Sequence, residues 1–231
     1  SASNRPAASD NLWTGMYLGS QVFRYLVTGD ETAKRNWQEA FEAMERMHTI
    51  NGIEGLFGRS FERHGTIEIR EEYRRYAEDY WYPDYARTVS WRQAENKEWD
   101  WRGTSSSDQT VGQMFALSLV AQHAEDTAWS NRAVRLIDQL MSYIVDNDLY
   151  LKGVDGRPTL WGRWNPEFVN RFDPVVGDRK VCSSNIIAFL QAAYHFTGKE
   201  KFRAKARELI LDHGYLENLM RPMSEIGRVG D

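Results

Sequence analysis

Two stretches of this chain share one design, and they restrict its fold more than any other feature. Tyr25-Leu26-Val27-Thr28-Gly29-Asp30-Glu31 and Tyr194-His195-Phe196-Thr197-Gly198-Lys199-Glu200 match in spacing and chemistry. Each reads as a tight stop and restart between two helices. Counting back from each glycine, Gly19 pairs with Ala188 and Gly15 with Ser184. A third copy stands between them: Gly112 follows Asp108 by four residues as Gly15 follows Asn11, and Ala116 takes the place of Gly19. Residues four apart share a helix face, so each first helix carries a small-residue notch suited to close packing.

Three helical hairpins follow from this repeat, at about 10–49, 107–145 and 184–213. In each, the first helix is apolar nearly all round and the second is amphipathic. Leu12, Met16, Leu18, Val22, Phe23, Leu26 and Val27 surround the first helix, which predicts burial on most sides. Trp37, Ala40, Phe41, Met44 and Met47 oppose Lys34, Arg35, Glu39, Glu42 and Glu45 on its partner. An inner layer and an outer layer are expected, in one all-α domain over 1–231. Asp10 or Asn11 suits the cap of the first inner helix, and Ser107 or Asp108 that of the second.

Turns within hairpins are short, whereas the links between them, about 50–106 and 146–182, are long. A long link inside a compact domain is usually functional. Topology puts both links at the end where inner helices begin and their dipoles are positive. Of nine tryptophans, Trp81, Trp91, Trp99, Trp101, Trp161 and Trp164 fall in these links. The centre of interest is Trp99-Asp100-Trp101-Arg102-Gly103-Thr104-Ser105-Ser106-Ser107-Asp108, read as a loop running into a helix. Glu68–Glu78 suits a short charged helix, and Tyr80-Trp81-Tyr82-Pro83 a turn flanked by short strands.

Composition narrows the function. The net charge of −4 argues against nucleic acid as a partner, although Arg70–Arg75 offers a basic patch. No apolar run reaches the length of a membrane span. The single cysteine, Cys182, excludes an internal disulfide and a paired-cysteine metal site. No zinc spacing occurs, and Asp146, Asn147, Asp148 and Asp155 do not fit an EF-hand, so neither a metal nor a cofactor is expected. Ser105, Ser106 and Ser107 lack the setting of a nucleophilic serine.

The inner-helix starts Asp10-Asn11-Leu12-Trp13 and Ser106-Ser107-Asp108-Gln109, the Thr-Gly turns and the aromatic links resemble the (α/α) toroid, or six-hairpin glycosidase-like, superfamily. The resemblance covers nearly the whole chain and implies carboxylates and stacking aromatics where the inner helices begin. It points to Asp10 and Asp108. A closed toroid has six hairpins and this chain has three, with no helix expected past His213 and a loop from Met220 to Asp231. Half a toroid leaves an apolar flank open, to be covered by a further chain segment or an oligomeric partner. A piece of a longer chain is the favoured expectation.

The expected function is cleavage of an oligo- or polysaccharide by general acid/base chemistry. Asp108 and Asp10 would act across the glycosidic bond, unless both are simply helix caps. Trp99, Trp101, Trp161 and Trp164 would stack on sugar rings, or else tuck onto the helix ends. Arg163 and Arg59 would grip an acidic group, or else form structural ion pairs. Glu98 and Asp100 are alternative acids in the same link. A lyase would instead draw a base from His64, Tyr73, Tyr76 or Tyr80. His48, His123, His195 and His213 read as packing or capping groups. A third possibility is a non-catalytic helical module that binds glycan or peptide. Action on polysaccharide would favour a periplasmic or secreted setting.

Overall fold

The computed structural model describes residues 9–66, 91–171 and 176–220. The charged helix 68–78, the Arg70–Arg75 patch, Tyr73, Tyr76, the turn at Tyr80–Pro83 and the tail 221–231 lie outside the described residues. The chain is mostly helical, as expected, with a few small strands in the links between hairpins. The elements are α1 (Asp10–Thr28), α2 (Glu31–Thr49), β1 (Ser60–Arg63), β2 (Trp91–Gln93), β3 (Trp99–Arg102), α3 (Ser107–His123) and α4 (Thr127–Asp146). There follow β4 (Tyr150–Lys152), β5 (Pro158–Arg163), α5 (Pro166–Arg171), α6 (Val176–Thr197), α7 (Glu200–Leu211) and α8 (Tyr215–Met220).

The two matched turns are the same structure. Gly29 and Gly198 close α1 and α6 in the left-handed region, at φ of +68° and +67°. Each donates its N–H to a tyrosine carbonyl four residues back, Tyr25 at 2.7 Å and Tyr194 at 2.8 Å. Each preceding threonine accepts from the residue after the glycine, Asp30 or Lys199, at 3.2 Å. Glycine fits because any side chain is strained at that φ. Asp30 and Asp126 then cap α2 and α4 by accepting from Thr32 and Ala128 at 2.8 Å.

α1, α3 and α6 lie in succession, with α3 packed against both neighbours, and each pairs with its own outer helix. The glycine notch is where α1 meets α3. A methyl group built on Gly15 would lie 2.6 Å from the Gly112 carbonyl oxygen, and one on Gly112 would lie 2.4 Å from that of Asn11. Gly19 receives the Phe115 ring and Leu119 in the same way. The two backbones meet there with no side chain between them. Phe41, Met44, Leu117, Leu136, Ile137, Leu140, Ile186 and Leu190 fill the core between the layers.

Several expectations need correction. α1 is not buried on most sides: Trp13, Met16, Tyr17, Phe23 and Val27 are exposed. α6 begins at Val176 rather than Ser184, and α8 is a helix where none was expected past His213. Asn11 and Ser107 do not cap either; the N-cap positions are Ser9 and Ser106, one residue before each helix. The links carry two antiparallel sheets, β1-β3-β2 and β4-β5. β3 is the stretch Trp99-Asp100-Trp101-Arg102, read as loop from its tryptophans and following glycine. Its strict apolar–charged alternation is the signature of a strand.

Candidate functional site

The amino-terminal tips of α1 and α3 meet, and polar side chains fill the junction. Asn11, fully buried, donates to the carbonyls of Gly58 and Arg59, each at 3.0 Å, and to Gln109 Oε1 at 3.1 Å. Gln113 donates to Asn11 Oδ1 at 2.6 Å, and its own Oε1 meets His48 Nε2 at 3.1 Å. Burial lowers the His48 pKa to about 4, with the Gln113 contact opposing the shift, so the ring is neutral near neutrality. This network ties α1, α2, α3 and the first link together. Sequence reasoning missed it. The signal was Gln109 and Gln113 on an otherwise apolar helix, since amides on such a face must find partners.

Asp10 and Asp108 both stand in first helical turns, where the helix dipole favours a negative charge. Neither occupies a cap position. Asp108, half-buried, accepts from Ser106 Oγ at the N-cap of its own helix and from Ser9 Oγ at 3.4 Å. Ser9 directly precedes Asp10, so the hydroxyl of one tip touches the carboxylate of the other. Asp10 and Asp108 thus belong to helix tips that touch through Ser9. Arg59 reaches the same place but turns inward: its Nη1 donates to the Thr104 carbonyl at 2.8 Å and to Ser106 Oγ at 3.4 Å. It is buried and braces the run into α3.

The three-stranded sheet stands beside this junction, because β1 starts one residue after Arg59 and β3 ends four residues before Ser106. Register pairs Phe61 with Trp101 and Arg63 with Trp99 on one face, and Ser60 with Arg102 and Glu62 with Asp100 on the other. The second face sequesters charge. Asp100 is fully buried, and both its oxygens lie 3.1 Å from His64 Nδ1. The His64 ring is partly exposed, so a buried carboxylate orients an imidazole that reaches solvent.

The predicted tryptophans separate into different roles. Trp164 is fully buried, edge-on to Phe189 at 6.1 Å, and Trp101 packs with Ile50 and Ala94. Neither offers a face to a ligand, which corrects the stacking role expected of them. The Trp99 ring carries the guanidiniums of Arg46 at 4.4 Å and Arg63 at 4.1 Å, and borders an open groove of about 680 Å³ between α2, α4 and the sheet. Trp161 on β5 is exposed. Arg163 donates from Nε to the Thr159 carbonyl at 2.8 Å and lies over Phe168, so its guanidinium supports the β4–β5 hairpin.

The two links meet at a cleft lined by Phe57, Trp101, Thr104, Val154 and Asp155. Its free volume is about 10 Å³, room for about one water and not for a sugar ring. Among the described residues, no cluster of His, Cys, Asp and Glu could hold a metal ion, and no helix is long and apolar enough to cross a membrane. Fold and junction together define a mostly helical protein of paired helices with polar chemistry at the tips of α1 and α3. No family model, curated protein or solved structure matches the chain.

Proposed function

We propose that this chain is a carbohydrate-active enzyme domain of the (α/α) toroid kind, cleaving an oligo- or polysaccharide by general acid/base catalysis. The observation that carries the reading is the contact between Ser9 of the α1 tip and Asp108 of the α3 tip. The two helix ends run side by side there, and each carries an aspartate in its first turn, which supports the reading. Glycoside cleavage needs two such groups, one to protonate the leaving oxygen and one to activate water or attack carbon. Asp108, which already accepts from two hydroxyls, takes the part of base or nucleophile, and Asp10 that of the acid. Trp161 and the edge of Trp99 are the aromatics within reach of a polymer.

His64 favours a second reading, a lyase. An imidazole held at Nδ1 by a buried carboxylate presents Nε2 as a base, as proton abstraction beside a carboxylate group requires.

One experiment separates the two. Polysaccharides are screened for cleavage with the wild-type chain, Asp108→Asn, Asp10→Asn and His64→Gln. The hydrolase reading expects both aspartate variants to lose about 10²- to 10⁴-fold in turnover while still binding substrate. Full turnover in both overturns it. Products absorbing in the ultraviolet from a new double bond, abolished in His64→Gln, establish the lyase.

A further inference from the structure

α1 has two faces of opposite character. One carries Gly15 and Gly19 and is closed by α3. The other carries Trp13, Met16, Tyr17, Phe23 and Val27, at 64, 53, 47, 47 and 84% exposure. At 1.5 Å per residue they span about 21 Å along one side of the helix, interrupted by Ser20 and Arg24, which are exposed on the same side. Scattered apolar residues on a surface need no explanation, but a stripe running the length of a helix does.

At the far side of α3, α6 shows a complementary face. Val181, Ser184, Ala188, Gln191 and His195 are exposed and recur at the same three- and four-residue spacing. Ser184 and Ala188 are the repeat positions of Gly15 and Gly19. On α1 the first of those positions meets the Gly112 backbone of α3 and the second takes Phe115 and Leu119. On α6 the notch is open to solvent. The row of inner helices α1, α3 and α6 thus ends in large side chains on one flank and in small ones on the other, and the α1–α3 contact already shows how a large side chain meets a small position.

We propose that a second copy of this chain covers both flanks, the α1 stripe of each copy packing into the α6 notch of the other. The areas decide between one contact and two. At ~200 Å² for a large side chain, the exposed fractions of the five α1 residues amount to about 600 Å². One such contact falls below the ~800 Å² per partner of a stable interface, whereas a closed pair commits both flanks and reaches about 1,200 Å². Because the two surfaces differ, closure requires both contacts at once, as a two-fold ring of head-to-tail copies. The acid pair at the α1–α3 junction lies within one copy, so the assembly stands or falls apart from the proposed chemistry.

Sedimentation velocity on the 231-residue chain tests this across a wide range of concentrations. The expected species has the mass of two chains. Trp13→Glu disables the α1 stripe and Ala188→Glu the α6 notch. Both positions are exposed, and unchanged circular dichroism with a cooperative melt confirms that the variants fold. Each variant alone should be monomeric. Mixed, they retain one intact contact and should associate one to one, more weakly than the wild type. Val27→Lys, at the far end of the stripe, should also weaken the dimer. A wild-type monomer at all concentrations overturns the proposal. So does an Ala188→Glu variant that remains a dimer, since α1 would then pair with α1. An open-ended filament overturns the two-copy closure.

Discussion

The two long links do the same topological work and are fastened by opposite means. The first, between α2 and α3, is held by polar bonds. Asn11 grips its backbone at Gly58 and Arg59, Arg59 grips Thr104, and Ser105 donates to the Phe57 carbonyl. The second, between α4 and α6, is held by an aromatic. Trp164 is driven into the core, its backbone N–H donates to the Leu149 carbonyl at 2.9 Å, and Tyr215 OH donates to its carbonyl at 2.5 Å. Apolar fastening is strong but chemically mute. Polar fastening gathers amides, hydroxyls and a carboxylate at the tips of two helices. The difference puts polar groups at the first link and an apolar pin at the second.

The sharpest way to break the comparison is within the second link. Trp164→Ala should cost about 3–5 kcal/mol, whereas Trp161→Ala, three residues away and exposed, should stay within about 0.5 kcal/mol. Urea unfolding of both variants measures the contrast, and equal losses would refute the assignment of Trp164 as the pin.

The first link should instead respond to pH. His48 lies beneath it, with Phe57 5.6 Å away between ring centres. Its pKa is lowered from 6.5 to about 4 in the folded chain, so the unfolded chain protonates first as pH falls. The stability that neutral His48 confers is whole above pH 6.5 and declines as pH drops toward 4, by up to ~3 kcal/mol. Unfolding free energies measured between those limits should slope accordingly, and His48→Gln should flatten the slope.

Gly112→Ala tests the junction that the first link covers. Its new methyl meets the backbone of Asn11 and Leu12, which cannot swing aside as a side chain can. A loss of about 2 kcal/mol is expected despite the better helix propensity of alanine, and thermal unfolding reads it. The smallest effect belongs to Tyr215→Phe. It removes one hydrogen bond from the second link and should cost about 1 kcal/mol while leaving the pH slope intact.

Periodicity and turn chemistry alone determined the three hairpins. The matched Thr-Gly turns, the apolar runs and the small-residue spacing are local, and local rules read them. The closeness of α1 to α3 was legible in Gly15 and Gly112 because only a backbone contact justifies glycine at such positions. That Asp10 and Asp108 stand at helix starts was legible in the capping pattern, and the fold packs those two starts side by side. β3 was legible too, in the alternation of Trp99-Asp100-Trp101-Arg102, but its tryptophans and flanking glycine drew the reading toward a loop.

Tertiary structure decided what a residue type cannot. Trp161 and Trp164 are the same side chain in the same link, yet one faces water and the other fills the core; only the path of the chain after β5 separates them. Arg59 turns inward because the Thr104 carbonyl and Ser106 hydroxyl await it there. The pairing of His64 with Asp100, and the network from Asn11 to His48, join residues far apart in the chain, and no local pattern encodes such distances. Sequence sets the periodic faces that helices and strands must bury. Which of those faces meet, and which polar groups are trapped between them, follows from packing the whole chain at once.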